Sequence, residues 1–120
     1  MSRVSLAIVG STCALQKHAQ PLIDRAIAQY QPDEIVSGGA VGVDTYAEET
    51  AQARGIPCVV YLPKERNWER GFKPRNIEIA TRCTVILAIR SQRSSTFGSG
   101  WTFHYATKTL GKPGELVMVP

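Results

Sequence analysis

Long hydrophobic runs are missing from this sequence. No apolar stretch approaches the ~20 residues a membrane-spanning helix requires, so no membrane partner is expected. The apolar opening Val4–Val9 is short and runs into Gly10-Ser11. It lacks the basic flank, long apolar core and cleavage site of an export leader, so it reads as a first β-strand and the chain is expected in the cytoplasm. Histidine is scarce: His18 and His104 stand far apart, and no HExxH, CxxC or carboxylate cluster accompanies them. Neither a metal site nor a cofactor is expected from such a pattern. The three cysteines, Cys13, Cys58 and Cys83, are odd in number. Cys58 and Cys83 border apolar runs and read as small core residues, while Cys13 follows the first strand and reads as exposed. The GxGxxG fingerprint of a typical NAD site is absent, as is a GxSxG nucleophile elbow. A Ser37, His104 and Asp44 triad can be assembled only on paper.

What is present is a globular chain of 120 residues, 43% hydrophobic and 20% charged, which fits one domain with a genuine core. The net charge is +4, but it is unevenly spread. Residues 64–93 hold eight bases and three acids, a local +5, while the remainder sums to −1. A basic field of this kind favours anionic ligands, nucleotides and nucleic acid among them.

Strand and helix patterns alternate. Val4–Val9 predicts a strand, and Leu22, Ile23, Ala26, Ile27 and Tyr30 share a helical face over 21–30, with Pro21 in the first turn and Pro32 beyond the end. Glu34–Ser37 is a second strand. Thr45–Arg54 is a second helix, with Thr45 and Glu48 spaced as a capping box and Gly55 following its end. Pro57–Leu62 is a third strand, and 63–73 a polar, basic loop containing Trp68 and Phe72. A short helix over 74–82 precedes Cys83–Ile89, the most apolar strand and the expected central one. A Ser-, Arg- and Gly-rich loop over 90–99 leads to a helix over 100–110 and a last strand, Leu116–Val119. Five strands separated by helices imply an α/β chain: a single Rossmann-like three-layer domain over 1–120 with a mainly parallel five-strand sheet and no appended domain.

In such sheets ligands bind outside the C-terminal ends of the strands. Three turns there carry unusual residues. Gly10-Ser11-Thr12 follows the first strand. Ser37-Gly38-Gly39-Ala40-Val41-Gly42-Val43-Asp44 follows the second, with three glycines that permit close backbone approach. Phe97-Gly98-Ser99-Gly100-Trp101-Thr102 precedes the last helix. Amides at the start of a helix attract anions, and Arg75 can supply a bidentate phosphate contact. A plain turn with helix capping, and a surface salt bridge for Arg75, are the competing structural readings.

The stretch Ile35–Glu49 resembles the central motif of the SLOG superfamily, which includes the DNA-processing protein A (Smf) family and the LOG-like phosphoribohydrolases. Lys73–Ile77 (KPRNI) is similar to the segment that places an arginine near ligand phosphate. Gly98–Thr102, followed by His104–Ala106 and Leu110–Pro113, looks like the Gly-rich turn and helix before the last strand. The resemblance covers nearly the whole chain. It implies a ligand or phosphate site built from Gly10, Ser11, Ser37, Gly38, Gly39, Asp44, Arg75, Asn76, Gly98, Ser99 and Gly100, and homo-oligomers are common in such families. LOG-like hydrolases carry PGGxGTxxE. Here Phe97 replaces the proline, Trp101 stands for the threonine and His104 for the glutamate, which removes the carboxylate an oxocarbenium-like transition state needs. Asp44 and Glu48 remain as candidate catalytic carboxylates. The expected function is binding or sensing of a nucleotide or nucleotide-derived phosphate ligand. The alternatives are a hydrolase cleaving an N-glycosidic or phosphate bond, and a single-stranded DNA-binding protein using Trp68 and Phe72 as stacking surfaces.

Overall fold

The structure, a computed structural model, describes residues 3–96 and 98–120; Phe97, which opens the third of the turns above, lies outside the described residues, as do Met1 and Ser2. The elements run β1 (Ser5–Gly10), α1 (Gln16–Tyr30), β2 (Glu34–Ser37), α2 (Val43–Ala53), β3 (Cys58–Val60), a wide helical turn at Trp68–Phe72, α3 (Lys73–Arg82), β4 (Val85–Ser91), α4 (Gly98–His104) continuing through a second wide turn at Tyr105–Thr109, and β5 (Gly114–Val119). The five strands pair in parallel in the order β3-β2-β1-β4-β5.

Side-chain alternation along the strands divides the core in two. Leu6 and Ile8 of β1 and Val85, Leu87 and Ile89 of β4 face one way, against Ala19, Ile23 and Ile27 of α1 and Ala47 and Ala51 of α2. Ala7 and Val9 of β1 and Ile86 and Ala88 of β4 face the other way, against Ile79 and Ala80 of α3 and Ala106. These runs look continuously apolar because a parallel sheet is covered on both sides. The result is the expected three-layer α/β fold.

The chain winds outward from β1 through β2 to β3, then returns to the far side of β1 for β4. That reversal places the switch point, where a crevice opens, between β1 and β4. The central strand is therefore β1 and not the Cys83–Ile89 run. Both strands are buried on two faces, so apolarity alone does not rank them.

Some boundaries differ from expectation. Helix α1 begins at Gln16, so Pro21 lies inside it and not in its first turn. The missing Pro21 amide forgoes one helical hydrogen bond, and burial of Ala19 and Ile23 holds the helix on the sheet across that gap. Its end is set by Gln31 in the left-handed region. Helix α2 starts two residues before Thr45, and its N-cap is Gly42. The capping box does not form: the Thr45 hydroxyl donates to the Ala40 carbonyl at 2.8 Å, and Glu48 accepts from Ser37. The loop expected over 63–73 contains the Trp68–Phe72 helical turn, closed by Asn67 Oδ1 accepting from the Arg70 amide at 2.7 Å. Cys83 is buried and Cys13 exposed as expected, but Cys58 is only half-buried on edge strand β3.

Candidate functional site

The C-terminal edge of the sheet is assembled from glycines that let three chain segments touch. A Cβ on Gly10, at the end of β1, would lie 2.6 Å from the Val43 side chain, so the strand can meet the start of α2 only without one. Gly42 has φ +81°, and a Cβ there would lie 2.6 Å from the carbonyl oxygens of Ser11 and Thr12. Both the dihedral and the close approach therefore call for glycine. The loops after β1 and β2 are thereby locked together at the head of α2.

Asp44 sits in the first turn of α2 and is 5% exposed. Its Oδ2 accepts from the Ala40 amide at 3.2 Å, while Oδ1 has no hydrogen-bond partner among the described residues. Burial pushes its pKa up to about 7 against the opposing pull of the Ala40 amide and the Arg75 charge, with Glu48 adding to the rise. The Gly10 amide also favours the charged form, by a smaller amount. Arg75 projects from α3 beneath Gly38. Its Nη1 donates to the Gly38 carbonyl and its Nε to Asn76 Oδ1 at 2.8 Å, and the guanidinium lies 5.8 Å from the Phe72 ring centroid. Burial lowers its pKa, and the neighbouring Asp44 carboxylate opposes that shift. Arg75 is thus a half-buried brace between β2 and α3 and makes no surface salt bridge with any described residue.

Two adjacent hollows open here. The smaller, about 40 Å³, is lined by Gly10, Gly38, Asp44, Arg75, Asn76, Gly98 and Ser99 together with Val9, Ile79 and Thr102. The larger, about 870 Å³, is lined by Thr12, Gly39, Ala40, Val41, Arg66, Trp68, Phe72, Asn76, Thr96, Gly98 and Trp101. Asn76 and Gly98 border both. The aromatic wall is braced: Trp68 meets Trp101 edge-on with centroids 5.1 Å apart, and Trp101 stacks on Tyr105 at 5.2 Å. A side chain on Gly71 would run into the Glu65 backbone, which holds the 65–72 segment folded so that Arg66 and Trp68 reach the cavity.

The structure brings together most of the residues singled out in the sequence. Gly10, Gly38, Gly39, Asp44, Arg75, Asn76, Gly98 and Ser99 line one hollow or the other. Three others lie beneath it. Ser11 Oγ accepts from the Ser91 amide at 3.0 Å and ties β1 to β4. The Ser37 hydroxyl donates to Glu48 Oε2 at 2.5 Å. Gly100 is buried within α4. Glu48 lines neither hollow, and neither does His104, which is exposed at the end of α4 beside Phe103. Ser37, His104 and Asp44 do not form a hydrogen-bonded relay, because the Ser37 hydroxyl is committed to Glu48. Trp101 and Arg66 were not anticipated as wall residues. The i, i+4 spacing of Trp101 and Tyr105 is the sequence signal that marks one aromatic helix face. Among the described residues no group of three or more potential metal ligands occurs, and no helix is long and apolar enough to cross a membrane.

No family model matches the sequence, and no curated protein matches it either. Among solved structures, the X-ray structure of DNA processing protein A (DprA) from Streptococcus pneumoniae is similar, with a TM-score of 0.75 and 21% sequence identity over 98% of this chain. The match covers 50% of that protein, so this chain spans about half its length. The likeness establishes a shared fold over that half.

Proposed function

We propose that residues 1–120 are a SLOG-type nucleotide-binding domain that holds a nucleotide, or a nucleotide-derived phosphate ligand, at the C-terminal edge of its sheet. The observation that carries this reading is the 870 Å³ cavity, walled by Trp68, Phe72 and Trp101 with Arg66 beside them, and adjoining the polar pocket of Asp44, Arg75 and Asn76. Aromatic faces accept any base by stacking, and the basic excess of 64–93 attracts the phosphate. Gly10, Gly38, Gly39, Arg75, Asn76, Gly98 and Ser99 then contact the ligand, while Ser11, Ser37 and Gly100 shape the loops that do. Calorimetric titration with nucleoside monophosphates tests this. Trp101→Ala is expected to weaken binding about 10- to 100-fold, the cost of losing one stacking partner, with the fold intact by circular dichroism. Equal affinity in the variant would remove the aromatic wall from the binding surface.

A second reading extends the ligand to single-stranded nucleic acid. It is favoured by the exposure of Trp68 at the cavity, by the surrounding bases, and by the fold shared with a protein described as DNA-processing. Oligonucleotide affinity would then fall steeply with salt, and anisotropy titrations that show no salt dependence would count against it. Hydrolysis is supported less: of the two candidate carboxylates only Asp44 reaches a hollow, and Glu48 is engaged with Ser37.

A further inference from the structure

We infer that Asp44 is the acceptor for a sugar hydroxyl of the bound nucleotide, so that the site distinguishes ribonucleotides from their deoxy forms. This rests on the nucleotide reading above and assigns one contact within it.

Asp44 is 5% exposed and lines the small pocket, and its Oδ1 has no hydrogen-bond partner among the described residues. Buried polar atoms are almost always hydrogen-bonded, so an orphaned carboxylate oxygen at the wall of a hollow marks the place of a donor that arrives from outside. An O–H supplies such a donor, whereas a phosphate oxygen is itself an acceptor and sets like charge against like. Size agrees. At about 40 Å³ the pocket has room for one or two water-sized groups. Three of the five N–H donors of Arg75 are already directed at Asn76 Oδ1 and at the Gly38 and Tyr61 carbonyls, which leaves Nη2 alone to reach a phosphate there. The positive end of α2 is also occupied, because Asp44 in its first turn is the anion that the helix dipole favours.

Position selects the sugar over the base. The aromatic rings line the large cavity, which shares Asn76 and Gly98 with the small pocket as a common wall. With the base stacked on Trp68, Phe72 or Trp101, we infer that its attached sugar sits at that shared wall. The phosphate is then carried toward Arg66 and the bases of the 64–73 segment.

The test uses the full chain and calorimetric titration with adenosine, guanosine, cytidine and uridine 5′-monophosphates, each beside its 2′-deoxy and 3′-deoxy counterparts, on the wild type and on Asp44→Asn. A hydrogen bond to a charged acceptor predicts that removing the contacted hydroxyl weakens wild-type binding about tenfold or more. In Asp44→Asn the preference for the ribo form should shrink several-fold, because a neutral amide oxygen accepts more weakly than a carboxylate. Thermal melting of the variant confirms that it is folded. If nucleotides bind but the wild type ignores the hydroxyls, the inference fails while the nucleotide reading stands. It also fails if Asp44→Asn keeps the full wild-type discrimination, which places the hydroxyl elsewhere, or if the variant binds inorganic phosphate and nucleotides more tightly, which places phosphate against Asp44. If no nucleotide binds either protein, both readings fall together.

Discussion

The two ends of the sheet each bury a carboxylate, and they treat it in opposite ways. At the N-terminal end, Glu34 is 2% exposed and saturated: Arg82 donates from Nε at 2.7 Å and from Nη2 at 2.9 Å, Ser5 Oγ at 2.6 Å and Arg3 at 3.1 Å. The Arg82 hydrogen bonds, joined by those of Ser5 and Arg3 and opposed by burial, hold its pKa down at about 2. At the C-terminal end, Asp44 is nearly as buried but its Oδ1 finds no hydrogen-bond partner among the described residues, and burial pushes its pKa up to about 7. One end is finished by the protein itself. The other retains an unmet polar demand at the wall of its small pocket, which is where strain and incomplete hydrogen bonding belong when a ligand completes the site.

The largest effect that would break this contrast is at the closed end. Glu34→Ala leaves Arg82 and the Ser5 hydroxyl without their acceptor and is expected to destabilise the fold by about 3 kcal/mol in urea denaturation. The partial exposure of Arg82 and Arg3 limits the loss, because both can turn to water. A loss below about half a kcal/mol, the range of an ordinary surface change, would mean that the network contributes nothing. The open end should respond with the other sign. At pH 8 Asp44→Asn removes a carboxylate that burial disfavours and is expected to stabilise the unliganded protein by about 2 kcal/mol. Destabilisation instead would show that Asp44 is a structural group and that the two ends are alike.

The pH dependence sharpens the same comparison. The folded pKa of Glu34 lies below its ordinary value of 4.5, so its stabilisation is present above about 4.5 and is lost as pH falls toward 2. The folded pKa of Asp44 lies above its ordinary 3.8, so between about 4 and 7 the unfolded chain releases that proton first and stability falls as pH rises, levelling above 7. Stability of the wild type against pH should therefore decline on both sides of a maximum near the weakly acid range. Glu34→Gln should flatten the acid side alone, and Asp44→Asn the side between 4 and 7 alone. Identical profiles for Asp44→Asn and the wild type would dissociate Asp44 from that decline.

Much of this architecture was legible in the sequence because the strands are covered on both sides. Runs such as Ser5–Val9 and Val85–Ile89 have no competing helical reading once Gly, Pro and polar turns bound them. Glu34–Ser37 was read with the bounds it has in the structure. The start of α1 was not legible, since Gln16, Lys17 and His18 carry no apolar period and Pro21 imitates a first-turn proline. The false capping box has a tertiary cause: Thr45 and Glu48 have the right local spacing, but Gly42 lets α2 begin earlier and Ser37 engages Glu48. At the site, the glycine turns, Asp44 and the Arg75–Asn76 pair were visible as local chemistry. Trp68 stood out as a stacking residue, but its meeting with Trp101 and Arg66 did not, because that wall exists only once the 65–72 turn folds against α4; the i, i+4 spacing of Trp101 and Tyr105 marks the helix face alone.

The most direct test of the central claim is native mass spectrometry of the purified chain, titrated with nucleoside monophosphates and then denatured to identify what is released. The account predicts one nucleotide per chain in the wild type, reduced in both Trp101→Ala and Asp44→Asn. A wild-type chain that stays empty at millimolar nucleotide, or that binds as well in both variants, would contradict it.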